Sequence, residues 1–503
     1  MLLGVVFVTG ACVLVIEIAA VRILSPYYGN TIFSFSSVIT VILAALSIGY
    51  YAGGRLADKR PHAGLFYTII FASGFAVLAL ELAGTFLLPS LAYRFSLLSG
   101  PLIFSALLFF LPGLLLGMLS PFVITLQKLR VPEQGVGTVS GKVFFWSTAG
   151  SIAGSLSAGF VLIPAFGISE IMVGTGSLLA AMGMAGMLAS GVKKERVIAP
   201  VVVVMALVGG LTQSAFLENN MLYEKDGVYE KIRIYETEYN GQKARVLLQD
   251  KTIGGGMLIG SAEHAFDYSK YYALYRVFNP EVNNALVIGG GAYTIPKALL
   301  ADLPAARIDV VEIEPSLFEL AQTFFEVPET PRLQNHVEDG RRFLADSKVR
   351  YDFIFGDAFH SLYSIPVHLT TKEFFLLAKE KLAANGVFMA NFIGSLAPGS
   401  SSLILAEIKT FQQVFPNSYF FAVQSPVDPG VQNIIFVGYN SDRRVNVQDP
   451  MFRANPDKII QALAEKQIAV GDFDLSPYPV FTDNYAPVEH FTAQVLLQQS
   501  QKD

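Results

Sequence analysis

The chain has 503 residues, of which 52% are hydrophobic and 15% charged, with a mean hydropathy of +0.47. Soluble domains carry about 25% charged residues, so this composition excludes an ordinary soluble protein. Up to Phe216, 11 Lys/Arg stand against 6 Asp/Glu, and beyond it 25 stand against 35. That unevenness excludes a uniform globule, a disordered chain and a protein that is membrane throughout. It leaves a membrane half followed by a soluble domain large enough for its own core. The acidic soluble half also argues against nucleic acid as a partner. Cys12 is the only cysteine and lies in an apolar run, so an intrachain disulfide and a Cys-based zinc site are excluded.

A membrane-spanning helix needs roughly 20 mostly apolar residues. Hydrophobic runs predict seven, over 1–24, 31–54, 64–88, 101–126, 143–166, 170–190 and 197–216. The first lacks a basic leader and contains Glu17, so it reads as a retained helix rather than a signal peptide. Basic residues alternate between the connections. Arg55, Lys59 and Arg60 follow the second span, Lys128, Arg130 and Lys142 flank the fourth connection, and Lys193, Lys194 and Arg196 follow the sixth. The opposite side offers little beyond Arg22 and Arg94. The positive-inside rule then predicts an inner-membrane, multi-pass protein with a cytoplasmic N-terminus and, after seven crossings, a soluble domain outside. Gly150-Ser151-Ile152-Ala153-Gly154-Ser155 reads as a close-packing seam. Glu17 and Glu81 sit inside apolar spans, where a carboxylate serves a substrate or proton site or is satisfied by a structural bond.

From about Tyr223 the pattern becomes that of a soluble fold. Tyr229–Glu236, Ala244–Gln249 and Gly254–Gly260 read as strands of a small meander, and Asp267–Arg276 reads as a helix. Strands then alternate with helices. Strands are predicted over 284–288, 307–313, 352–357, 386–391, 419–423 and 433–437, with helices ending at 300 and over 316–325, 371–382 and 403–415. Such alternation predicts a mostly parallel, doubly wound sheet with ligands bound beyond the carboxyl ends of its strands. The domain expectation is 1–217 for the helices, 218–265 for the meander and 266–503 for a Rossmann-like α/β domain.

Three glycines, Gly289, Gly290 and Gly291, follow the first of these strands and let backbone approach a ligand. Glu312 ends the next strand, at the spacing from which an acid accepts from ribose hydroxyls. Glu338-Asp339-Gly340 lies where a third loop would meet an adenine, and Asp357 ends a further strand. In that order these residues indicate a nucleoside-binding domain. The six histidines show no metal-ligand spacing, and there is no Ser-His-Asp signature and no P-loop.

On these residues the soluble half resembles the spermidine synthase (polyamine aminopropyltransferase) family, within the class I S-adenosylmethionine-dependent fold. The whole chain resembles its fused major-facilitator/spermidine synthase branch. Gly53-Gly54-Arg55-Leu56-Ala57-Asp58-Lys59-Arg60 is similar to a loop of major-facilitator transporters, and Phe481–Glu489 to a C-terminal motif of the branch. The enzymatic resemblance runs from about Tyr229 to Phe392. It implies that Gly289, Gly290, Gly291, Glu312, Asp339, Gly340 and Ala358 hold decarboxylated S-adenosylmethionine, or S-adenosylmethionine, as co-substrate without a metal. It implies that Asp357 takes a proton from an attacking amine, with Glu230, Tyr268, His360, Tyr363 and Pro366 on the amine side. His368 is a further candidate there.

The departures are specific. The family's Gly-Gly-Gly-Asp-Gly reads Gly-Gly-Gly-Ala292-Tyr293, its Tyr-His pair reads Tyr268-Ser269, its glutamine aligns with Glu230, and His360 replaces its second catalytic acid. The resemblance therefore implies a membrane-anchored aminopropyltransferase-like enzyme with a rebuilt amine site. A methyltransferase on the same fold and a non-enzymatic carrier or sensor are the alternatives. The expected partners are the lipid bilayer and a small amine, with a homodimer by analogy. Both donors are cytoplasmic metabolites, which conflicts with the outward placement that the charge rule gives.

Overall fold

The structure, a computed structural model, describes residues 2–192, 220–250, 252–261, 263–358, 365–397, 402–441 and 444–500. The chain divides into two compact units, Met1–Asn219 and Asn220–Asp503. In the first, six helices are long and apolar enough to cross a membrane: Leu2–Tyr28, Ile32–Lys59, Ala63–Leu91, Gly100–Arg130, Val136–Ala165 and Ile168–Ala189. The seventh expected span, 197–216, lies outside the described residues.

The starts and stops follow local chemistry. Thr31 caps the second helix by accepting from the Ser34 N–H at 3.3 Å, and Lys59 closes it on the basic side of its dipole. The first and fifth helices meet through the predicted glycine seam. A Cβ on Gly150 would stand 1.9 Å from the Phe7 carbonyl oxygen, and one on Gly154 2.3 Å from that of Ala11. Only glycine allows backbones this close, so the two helices pack main chain against main chain. Glu81 is buried, and the Ser169 hydroxyl of the sixth helix donates to its Oε1 at 2.5 Å. That bond is the structural partner weighed for a carboxylate at this position.

The second unit opens with a four-stranded antiparallel meander: β1 (Met221–Asp226), β2 (Lys231–Tyr239), β3 (Gln242–Gln249) and β4 (Thr252–Leu258). The sequence reading delimited three of these strands and did not mark β1. Helical turns over Asp267–Phe278 lead into a seven-stranded sheet. Its strands are β5 (Asn284–Ile288), β6 (Arg307–Glu312), β7 (Leu333–Val337), β8 (Tyr351–Gly356), β9 (Leu382–Ser395), β10 (Ser418–Ala422) and β11 (Val431–Tyr439). The order is β10-β11-β9-β8-β5-β6-β7. The five strands from β5 to β9 run parallel, and β11 is antiparallel to both β9 and β10.

The central strands carry continuous apolar runs, over 285–288 and 353–355, because both faces are covered there. Ala285, Val287, Phe353 and Phe355 join one core, while Leu286, Ile288 and Ile354 join the other. The strand order reverses between β5 and β8. The crevice beyond their carboxyl ends is therefore where a ligand is expected.

Candidate active site

The Asp357 N–H donates to the Ile288 carbonyl at 2.7 Å, tying the loop after β8 to the end of β5. Gly289 makes this possible. Its φ is +93°, and a Cβ there would stand 2.7 Å from the Asp357 carbonyl oxygen. Glu312, at the end of β6, is 4% exposed. Its Oε2 accepts from the Gly290 and Gly291 N–H groups at 2.7 and 3.4 Å, and its Oε1 from that of Glu314 at 2.9 Å. The backbone thus holds this acid against the glycine turn.

Asp339 follows β7 and caps the helix Gly340–Asp346, accepting from the Arg342 N–H at 2.9 Å. Gly340 is buried against Ile288. The His368 Nε2 lies 2.8 Å from Asp339 Oδ2, and this hydrogen bond, outweighing burial, holds the Asp339 carboxyl below its usual range. His368 is therefore bonded to the Asp339 loop and does not line the cavity in which an acceptor was expected to meet it.

That cavity has a volume of about 470 Å³. Gly291, Asp357, Tyr268, Asn391 and Asn433 line it, together with Tyr239 and Thr252 of the meander. Asn391 Nδ2 donates to Asp357 Oδ1 at 3.0 Å, and Asn433 Nδ2 donates to Asn391 Oδ1 at 2.9 Å. Burial pushes the Asp357 carboxyl up to about 7, against the lowering effect of the Asn391 hydrogen bond. Burial, with the nearby Asp357 charge, also raises the Tyr268 phenol. Perturbed groups converging in a cleft are the mark of a functional site.

The other expected residues fall as follows. Glu230 is half-buried and accepts from the Nε2 of Gln249; the Oε1 of that amide is buried with no hydrogen-bond partner among the described residues. Burial first, then the charges of Glu312, Asp250 and Glu314, raises the Glu230 carboxyl despite the Gln249 bond. Glu230 does not line the cavity. Nor does Pro366, which starts the turn Val367–Leu369. Ala358 is half-buried beside Asp357. His360 and Tyr363 lie outside the described residues. Ala292 is 2% exposed, and a Cβ on Gly255 would press on its methyl, so the family's aspartate position is filled by packed apolar surface. Among the described residues no group of three or more His, Cys, Asp and Glu side chains could hold a metal ion.

Sequence reasoning missed Asn391, Asn433 and Gln249. It also left open what Phe481–Glu489 does. The Arg341 guanidinium forks onto Asp483, with NH1 to Oδ1 at 2.8 Å and NH2 to Oδ2 at 2.6 Å. Arg341 also donates to the His368 carbonyl at 3.1 Å, and Thr371 Oγ1 donates to Asp483 Oδ1 at 2.8 Å. The C-terminal motif is therefore strapped to the loops that carry Asp339 and His368.

Residues 273–449 match the spermine/spermidine synthase domain. The synthase-like domain has named relatives. A polyamine aminopropyltransferase of Vibrio vulnificus is 27% identical over 303 residues, covering 57% of this chain and 89% of the relative. A polyamine aminopropyltransferase 1 of Streptomyces coelicolor is 24% identical over 414 residues, covering 77% and 75%. A crystal structure of a probable spermidine synthase from Corynebacterium glutamicum aligns with a TM-score of 0.43 at 20% identity, covering 52% of this chain and 96% of that one. The domain match and these relatives support an aminopropyltransferase enzyme. Among the described residues, six apolar helices are followed by a four-stranded meander and a seven-stranded, mostly parallel sheet.

Proposed function

We propose that this chain is a membrane-anchored enzyme that transfers an aminopropyl group from decarboxylated S-adenosylmethionine to an amine. The observation that carries the reading is Asp357. It stands at the reversal of strand order, lines the cavity and has a carboxyl raised to about 7. An ammonium has no lone pair with which to attack, so a carboxylate must position it and take its proton. The amine nitrogen then bonds to the aminopropyl carbon next to sulfur. The carbon–sulfur bond breaks, its electron pair neutralises the sulfonium as methylthioadenosine leaves, Asp357 holds the one proton it took before the attack, and the product nitrogen keeps its remaining two as a secondary ammonium.

On the donor side, Glu312 receives the ribose hydroxyls, and the Gly290 and Gly291 N–H groups that now bond it keep its carboxylate oriented. Asp339 and Gly340 border the adenine. The sulfonium is already an activated leaving group, so this reading assigns no step to a metal. The six apolar helices anchor the enzyme in the cell membrane with the N-terminus in the cytoplasm.

A second reading has its own observation. Ala292 leaves the glycine turn without a carboxylate for the donor's aminopropyl ammonium. An intact S-adenosylmethionine, with its own carboxylate, would meet no repulsion there, and the reaction would be methyl transfer. Calorimetric titration of the detergent-purified protein with both donors separates the two. Tighter binding of the decarboxylated donor is the expected result. Preference for the intact donor would replace aminopropyl transfer with methyl transfer.

A further inference from the structure

The charge in the cavity wall bears on the acceptor. Among the described residues, the acids that line it are Asp357 and Asp267. Asp267 belongs to the rim, with its side chain 74% exposed and held by Lys270 Nζ at 2.7 Å. Around Asp357 the wall is neutral, because Asn391 and Asn433 are amides bonded in series to it. Ile393, Val423 and Ile253 also line the space, with Gln424, Thr252 and Tyr239 as further uncharged polar groups. Ile253 is 45% exposed, an uncovered aliphatic surface inside a ligand cavity. The chain leaving Asp357 carries no Asp or Glu before Glu373, and Glu373 Oε2 accepts from the Asp483 N–H at 3.0 Å.

One ammonium therefore finds a carboxylate deep in the site, and a second finds amides and aliphatic groups. Moving an ammonium out of water without a carboxylate is unfavourable, whereas moving methylene groups onto Ile253, Ile393 and Val423 is favourable. We propose that the acceptor is a primary monoamine with an apolar body, and not a diamine or polyamine. This rests on the aminopropyl-transfer reading above. It departs from the substrate class that the names of the relatives carry.

The test uses the full-length protein in detergent with decarboxylated S-adenosylmethionine. Hexylamine and 1,6-diaminohexane serve as acceptors of matched reach, with spermidine as a third. Hexylamine is expected to exceed the diamine in kcat/KM by about tenfold or more. A diamine or spermidine rate equal to or above that of hexylamine would overturn the inference and leave aminopropyl transfer standing. No adduct with any of the three would overturn both. The variant Gln424→Glu adds a carboxylate at an exposed rim position of the cavity, where folding is not at stake. It is expected to move the preference toward the diamine by about threefold, the scale of an exposed ion pair. An unchanged ratio in Gln424→Glu would show that missing charge is not what excludes the second ammonium.

Discussion

Burial pushes the Asp357 carboxyl up to about 7, and two outcomes of opposite sign follow. As the proton acceptor it must be ionised, so kcat/KM for the amine rises through about pH 7 and then levels. Asp357→Asn removes that limb and lowers the rate by about 10²–10⁴-fold, the usual weight of a general base. Stability runs the other way. The folded value lies above the ordinary 3.8, so the folded state keeps a proton that the unfolded chain releases. The stability this proton contributes is whole below about pH 4 and is lost as pH rises through about 7. Asp357→Asn is therefore expected to raise Tm at pH 8, by roughly 2–4 °C after allowance for the solvent reaching a half-buried side chain, and to change little at pH 4. A lower Tm at pH 8 would mean that the charged form is stabilised by something other than Asn391. Asp357 and Glu312 were legible in the sequence because each closes the apolar run of a strand, over 353–355 and 310–311. Asn391 and Asn433 were not. They are neutral amides 42 positions apart, joined only because β9 and β11 pair Asn391 with Ile435 and Ile393 with Asn433. That register is set by tertiary pairing and leaves no local trace.

Among the elements, the C-terminal motif and the helix Leu403–Gln412 make separate predictions. Asp483 holds Arg341 and Thr371, and through Arg341 it reaches the His368 carbonyl beside Asp339. Asp483→Ala should loosen the adenine-side loop. The expected result is a several-fold weaker donor in calorimetry, about 1 kcal/mol, with the amine KM little changed. Equal donor affinity in variant and parent would confine the motif to holding the C-terminus. Glu407 is fully buried on its helix, and among the described residues neither carboxylate oxygen has a hydrogen-bond partner. Burial raises its carboxyl well above 4.5, so the folded state holds this proton more tightly than the unfolded chain does, and the stability it contributes is lost as pH rises beyond the ordinary carboxylate range. A buried polar group left without a hydrogen bond costs about 1–3 kcal/mol, which an apolar side chain of similar shape avoids. Glu407→Leu should therefore raise the denaturant midpoint at pH 8 more than at pH 5, and a destabilised variant would reveal a partner for the acid. Period and turn signals located the strands with continuous apolar runs, such as Asn284–Ile288 and Tyr351–Gly356. They missed β7, Leu-Gln-Asn-His-Val, because an edge strand with three polar residues resembles a loop. They also placed the start of β9 four residues late, since Ala-Asn-Gly reads as a turn although it lies within the strand.

For the whole molecule, charge placement separated a helical unit from an α/β unit, because lipid excludes charge and an aqueous surface requires it. On the proposed membrane anchoring, the side on which the α/β unit lies depends on the number of crossings. The six described helices alone would return the chain to the side of its N-terminus, and the expected span over 197–216 would send it across. With the basic loops inside, a reporter active only outside the cytoplasm and fused after Asp503 is expected to be active. A fusion active only in the cytoplasm would remove either the seventh span or the charge rule from the account. The central claim is the chemistry, and mass spectrometry of one reaction tests it most directly. Full-length protein, decarboxylated S-adenosylmethionine and hexylamine should yield hexylamine enlarged by one aminopropyl group, with methylthioadenosine in equal amount and neither product from Asp357→Asn. Methylthioadenosine without an adduct, or an adduct that persists undiminished in Asp357→Asn, would contradict aminopropyl transfer through this carboxylate.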